Sequence, residues 1–167
     1  MILNLNKYWI WIVTLISFIA ICSALIAEFL FELEPCSMCL KQRHPYYFII
    51  LLFIINAFIK FHNKIWIYIG IQIASIYGAF YAIWHVGIEK NIINGPAECS
   101  GGLESFNNIS NLKEQIVSKP VVNCEDVIWS FFGVSAATIN TFILILILII
   151  NTIYLYKKYG SKKTNII

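Results

Sequence analysis

Charge is what this sequence has least of. Only 13% of its 167 residues are Asp, Glu, Lys or Arg, against 59% hydrophobic residues. So little charge excludes an ordinary soluble domain. Acidic residues are missing altogether from one side of the apolar runs, where Lys7, Lys60, Lys64, Lys157, Lys158, Lys162 and Lys163 lie. Thiols are missing from the connection on that side too. There is no internal repeat and no low-complexity linker, so residues 1–167 read as a single integral membrane domain. No small-residue cleavage pattern follows the first apolar run, where Glu28-Phe-Leu-Phe-Glu-Leu-Glu-Pro stands instead. The first run therefore reads as a retained helix rather than a secretory signal.

What the chain does have is long apolar runs. The first spans Tyr8 to about Leu30, the second Tyr46 to about Ile59, the third Ile65 to about Ile83, and the fourth about Val127 to Tyr156. Runs near 20 residues match the thickness of a bilayer. Only helices satisfy their own backbone in lipid without closing a barrel. The expectation is an all-α membrane protein, a four-transmembrane-helix bundle with two periplasmic loops. The second run reaches only about 21 Å at the rise of an α-helix. Either its helix starts earlier, through Leu40, or the bilayer is thinned or left partly uncrossed there.

Charge orients the bundle. The lysines on one side predict cytoplasmic termini and a cytoplasmic turn at Phe61–Asn63. All the acidic residues fall toward the other side: Glu28, Glu32, Glu34, Glu89, Glu98, Glu104, Glu114, Glu125 and Asp126. The loops Phe31–Pro45 and His85–Asp126 then face outward, which in a bacterium is the periplasm, where disulfides persist. Such a protein sits in the inner membrane with both termini inside. The net charge of +3 reflects this asymmetry and does not point to nucleic acid. A loop of about 40 residues in so small a bundle is a functional candidate.

Both outward loops carry cysteine pairs, Cys36/Cys39 and Cys99/Cys124. Cys36-Ser-Met-Cys39 leads into the second helix. A helix N-terminus, with Lys41 and Arg43 nearby, stabilises a thiolate, so at least one thiol should be acidified. The thiolate is the form that exchanges disulfides. A stabilising disulfide or half of a zinc site are the alternatives. A two-residue spacer closes too small a loop to constrain the unfolded chain much. Cys99 and Cys124 lack the close pairing of a zinc ribbon, so no metal is expected. Alone they would read as a loop staple contributing about 3 kcal/mol. Beside a second dithiol on the same face, they read as its exchange partner.

Other residues are weaker candidates. Arg43 stands four positions after Cys39, either as a snorkelling interfacial cation or as the charge beside a thiolate and an electron acceptor. His85 is placed to donate to the same acceptor or to do nothing chemical, and His44 carries a fainter version of the same signal. Trp129 reads as an interface anchor at the start of the fourth helix. Cys22 reads as a small apolar residue, and Asn140 as a helix-packing hydrogen bond. Asn108-Ile-Ser110 matches a glycosylation sequon that is frequent by chance.

Taken in order, these motifs resemble the bacterial DsbB disulfide-bond formation proteins. The resemblance spans nearly the whole chain. Cys-Ser-Met-Cys-Leu-Lys-Gln-Arg precedes helix two, and Trp84-His-Val-Gly-Ile-Glu ends helix three. Gly95-Pro-Ala-Glu-Cys99-Ser-Gly-Gly lies in the long loop. Cys124 comes shortly before Trp129-Ser-Phe-Phe-Gly-Val-Ser. The resemblance implies a protein-dithiol:quinone oxidoreductase. It makes Cys99 the thiol that forms a mixed disulfide with a DsbA-like periplasmic thiol oxidase. It makes Cys124 the resolving partner that then exchanges with Cys36. Cys39 is implied as the thiolate facing a quinone, ubiquinone or menaquinone, with Arg43 and His85 at the quinone site. Two other readings stand beside it. One is a DsbI-like or vitamin-K-epoxide-reductase-like membrane oxidoreductase with another partner. The other is a structural bundle with inert disulfides.

Overall fold

The computed structural model describes residues 2–59, 65–96, 99 and 122–160. Expectations for the turn at 61–63, the sequon at 108–110 and the lysines at 162 and 163 lie outside these residues.

Four helices make up the described chain. They are α1 (Ile2–Phe29), α2 (Ser37–Ile59), α3 (Ile65–Glu89) and α4 (Ala136–Leu155), the last running into a π-helical turn at Tyr156–Gly160. Stretches in three of them are long and apolar enough to cross a membrane: Tyr8–Phe29, Ile65–Glu89 and Ala136–Lys158. α3 lies against both α2 and α4, and α1 against α2. On α1, Trp11, Leu15 and Phe18 form an exposed apolar stripe at helical spacing. A soluble protein rarely exposes so continuous an apolar surface, whereas lipid covers it without penalty.

Inside the bundle the core falls into three clusters along the helix axes. Val13, Ile49, Ile71 and Ile147 anchor one end, and Ile21, Tyr46, Ala82 and Leu144 the middle. The third cluster, at the end where α2 begins, holds Cys36, Met38, Ile88, Cys99 and Cys124. Gly78 sets the approach of three helices. A Cβ there would stand 2.7 Å from Pro45 Cγ and 2.9 Å from Leu144 Cδ1. Small residues at such crossings let helices pack closely where lipid supplies no hydrophobic drive.

Polar links replace that drive at the other end. Fully buried Asn151 accepts from Trp9 Nε1 at 3.2 Å. Its own amide donates to Tyr68 O at 2.9 Å and Gln72 Oε1 at 2.7 Å. It thereby ties α1, α3 and α4 together. Asn151→Ala should lower bundle stability by about 1–2 kcal/mol. Reversible denaturation in detergent reads this, and an unchanged midpoint would show that the network contributes nothing.

The structure moves several boundaries. α2 starts at Ser37, so of the two alternatives the short second run is lengthened at its N-terminal end, and the loop expected over 31–45 shrinks. Cys36 caps this helix, as its carbonyl accepts from Leu40 N at 3.2 Å. Pro45 then falls inside the helix, with its ring against Gly78. α3 runs on to Glu89, so Trp84–Glu89 ends this helix as the resemblance implied, and the loop expected over 85–126 starts only after it. α1 reaches back to Ile2.

The largest correction is at α4, which begins at Ala136, not Val127. A two-stranded antiparallel hairpin comes first, β1 (Ser130–Phe131) against β2 (Val134–Ser135). Phe132 and Gly133 both take left-handed backbone, φ 51° and 79°. That is the two-residue turn whose twist matches paired strands. Ala136 N–H closes onto Trp129 O at 3.1 Å. The helix starts only where Ser135 Oγ accepts from Thr138 N–H at 3.2 Å. An apolar run by itself does not separate this turn from the helix that follows.

Candidate active site

Cys36 is built into the start of α2 as its N-cap. Its Sγ accepts the backbone N–H of Cys39 at 3.2 Å, in the place where a serine or aspartate oxygen often sits. The Cys36 and Cys39 sulfurs lie 2.7 Å apart as thiols. His85 Nε2 reaches Cys36 Sγ at 3.6 Å from α3. Cys36 and His85 are both buried.

These contacts decide where the charge goes. The hydrogen bond from Cys39 pulls the Cys36 thiol down against the effect of burial. The hydrogen bond and electrostatic attraction of His85 help, as does the Cys39 N–H. The result is a Cys36 value of about 5. That bond and burial, in turn, push Cys39 up, with Arg43 opposing weakly. The expected acid thiol is therefore present. In this free dithiol it is Cys36.

Cys99 and Cys124 are joined in a disulfide. It lies directly over the start of α2, with Ser37 Oγ 3.5 Å from Cys99 Sγ and 3.7 Å from Cys124 Sγ. All four thiol positions thus meet in one buried cluster. Cys99, expected in the long loop, is buried, with its N–H bound to Pro96 O at 2.7 Å. Gly95 makes the room, since a Cβ there would stand 2.9 Å from Cys99 Cβ.

Beside the dithiol is a cavity of about 360 Å³ between α1, α2 and α4. Ile16, Ile19, Ala20, Ala24, Ala137 and Ile143 give it apolar walls. Cys39, Gln42, Arg43, His85 and Asn140 are among its polar groups, and Glu34, Glu89 and Asp126 bring carboxylates to it. An apolar slot with a few polar groups is the usual form of a small-molecule site. Arg43 is not free in this slot, because its guanidinium donates to the Glu28 carboxylate of α1. Cys36, Cys39 and His85 bring one donor atom each within 4.8 Å of one another. That is one short of the four donors that close a structural zinc site.

Comparison with known proteins agrees with this picture. The profile of the family described as Disulfide bond formation protein DsbB matches residues 6–154. The chain belongs to the DsbB family. Uncharacterized protein RP370 of Rickettsia prowazekii is 28% identical over 149 residues, covering 88% of this chain and 86% of that protein. Disulfide bond formation protein B of Methylobacillus flagellatus is 28% identical over 120 residues, covering 67% of this chain and 70% of its own length. No solved structure matches. The family carries a role in membrane disulfide-bond formation, which makes this chain an oxidoreductase of that process.

Within this DsbB-family site the structure brings together Cys36, Cys39, Arg43 and His85, and stacks Cys99–Cys124 beside them. His44 stays exposed, near Tyr77. Trp129 lines the cavity from the segment before the hairpin, not from α4. Sequence reasoning missed Glu28, Gln42 and Tyr46. Gln42 is three residues after Cys39, one helical turn along the same face, and that spacing was the available signal. Asn140 was expected to pack helices, and it does so by donating to Gln42 Oε1 at 2.7 Å.

Proposed function

We propose that this protein reoxidises a DsbA-like periplasmic dithiol carrier and hands the electron pair to a membrane quinone. The observation that carries the reading is the meeting of two cysteine pairs in one cluster, with an apolar cavity beside the inner pair. In this reading α2 crosses the membrane with the other three helices, both termini are cytoplasmic, and the cysteines face the periplasm.

The carrier's thiolate attacks Cys99, breaking the Cys99–Cys124 bond and releasing the Cys124 thiolate. The carrier's second thiol then displaces Cys99. The carrier leaves as a disulfide, and Cys99 and Cys124 keep its two electrons. With Cys36–Cys39 oxidised, Cys124 attacks Cys36 and frees Cys39. Engaged in that bond, Cys36 bears no charge, so its share of the push that holds Cys39 protonated disappears. Arg43 remains, and Cys39 becomes the thiolate facing the cavity. A bound quinone supplies the two-electron, two-proton sink. Cys99 closes back onto Cys124, and the Cys36–Cys39 bond re-forms as the electrons leave.

Two measurements test this. Purified protein given reduced carrier and quinone should yield one carrier disulfide per quinone reduced. No quinone reduction would overturn the proposal and favour the inert bundle. Cys124→Ser, mixed with a single-cysteine carrier activated by a small aromatic thiol, should trap the carrier on Cys99, expelling the aromatic thiol. Trapping on Cys36 or Cys39 instead would reverse the order of transfer.

A further inference from the structure

A chain of buried and half-buried hydrogen bonds links α4 to the reactive sulfur. Tyr46 hydroxyl donates to Asn140 Oδ1. Asn140 Nδ2 donates to Gln42 Oε1 at 2.7 Å. Gln42 Nε2 meets His85 Nδ1 at 2.8 Å, and His85 Nε2 meets Cys36 Sγ at 3.6 Å. Gln42 and His85 are both buried.

Two amides in series have a direction. The NH₂ of one must meet the oxygen of the next, so neither can turn unless both turn. In the direction recorded here, every donor points toward Cys36. Gln42 presents N–H to Nδ1, so Nδ1 is the accepting nitrogen. The ring proton of a neutral His85 must then lie on Nε2, facing the sulfur. Turned the other way, the chain would put Gln42 Oε1 against an Nδ1–H. Nε2 would then be an acceptor that binds the thiol form of Cys36. The partner on one ring nitrogen thus decides what the other one does.

We propose that Gln42 and Asn140, with Tyr46 at the far end, are positioning residues that fix the His85 tautomer, so that Nε2–H is held toward Cys36. The inference rests on the exchange role proposed for Cys36, but its readout needs neither carrier nor quinone. It assigns work to residues that do not touch the sulfurs. Asn140 acts through two intermediaries, from a different helix. Glycine, alanine or leucine at these positions would fill space without giving direction.

Other charged groups near the site are few. On α1, Glu28 is paired with Arg43 of α2. Lys41 of α2 lies over the Tyr81 ring. Cys39 is hydrogen-bonded to Cys36 itself. On α3, Glu89 accepts from the Ser135 hydroxyl. Glu34 and Asp126 line the cavity from the connecting segments. Of these groups only Cys39 is changed below, and it is changed in every chain whose alkylation rate is compared.

Asn140→Asp is the decisive variant. An aspartate still accepts from Tyr46 but cannot donate to Gln42. Gln42 must then turn its NH₂ toward Asp and its oxygen toward His85, reversing the chain with one near-isosteric change. ¹⁵N imidazole shifts of His85 should show Nε2–H in the native chain and Nδ1–H in Asn140→Asp. In a Cys39→Ala background, where the Cys39 hydrogen bond is gone, iodoacetamide alkylation of Cys36 at pH 6 should slow about tenfold in Asn140→Asp. Asn140→Gln, which retains a donor, should recover part of the rate. Helical circular dichroism and an intact Cys99–Cys124 bond would certify folding. A folded Asn140→Asp protein with the native His85 tautomer and native alkylation rate would overturn the inference. Loss of carrier oxidation with an unchanged tautomer would also overturn it, since Gln42 and Asn140 line the cavity; carrier oxidation that persists in Cys36→Ser would instead strike at the exchange role of Cys36.

Discussion

Between pH 8 and pH 6, the rate of Cys36 alkylation should change by less than about twofold. A thiol with the ordinary value of 9.0 loses roughly tenfold per pH unit over this range, because only the thiolate reacts. Cys36 is held down to about 5, so it stays ionised until the pH approaches that value. Site-resolved mass spectrometry of a pulse of iodoacetamide reads this directly. The sign of the linkage is that of a depressed acid. The charged thiolate stabilises the folded dithiol in full above 9.0, and this contribution fades as the pH falls toward about 5. Since the benefit goes to the reduced form, it raises the reduction potential of the Cys36–Cys39 couple. On the proposed exchange this would draw electrons from Cys99–Cys124 toward Cys36–Cys39, a pull that should weaken in acid. His85→Ala removes one of the stabilising contacts, so its Cys36 rate should fall off at a higher pH than in the native chain. A Cys36 rate that drops a hundredfold between pH 8 and pH 6 would show that the N-cap contacts do not hold a thiolate.

Removing the Arg43 charge should raise the apparent KM for quinone at least about tenfold, which corresponds to about 1.4 kcal/mol. Arg43 lines the cavity beside Cys39 and stays charged where a buried lysine can lose its proton. The structure adds a second charge to the argument. Arg43 is held by Glu28, so Arg43→Ala leaves a carboxylate without its partner at the wall of an apolar slot. Part of any loss would then come from the orphaned Glu28. Glu28→Gln and the double variant Glu28→Gln/Arg43→Ala separate the two effects. If Arg43 serves the acceptor, the double variant stays impaired. If it serves only Glu28, the double variant recovers. Trapping of the carrier on Cys99 should be unchanged in all three, since that step takes place at the other cysteine pair.

Much of this protein was legible before its structure. Low charge, long apolar runs and one-sided lysines carry the membrane reading, because lipid accepts little else. The helix N-terminus after Cys36 foretold an acid thiol, since the backbone N–H groups there are free to bind one. Local spacing also placed Arg43 and the cysteines in one neighbourhood. Boundaries were less legible. Gln42 is a polar letter in an apolar text and looks like loop. It is in fact helical, since it finds a partner across the bundle. The hairpin at Phe131–Val134 was hidden because its apolar residues continue the run of α4, and only its left-handed turn separates the two.

By itself the sequence determined composition, the apolar runs, the placing of cysteines on one face and the family. Tertiary structure decided which residues meet. It set Cys36, not Cys39, as the bearer of charge in the dithiol, because the N-cap bond and His85 converge on that sulfur. It paired Arg43 with Glu28 and buried Cys99 behind Gly95. It joined Tyr46, Asn140, Gln42 and His85, from three helices, into one directed chain. Such contacts span up to 98 positions in the chain. No local pattern encodes them, because they depend on how the helices are rotated against one another, and that rotation is set by packing at sites such as Gly78.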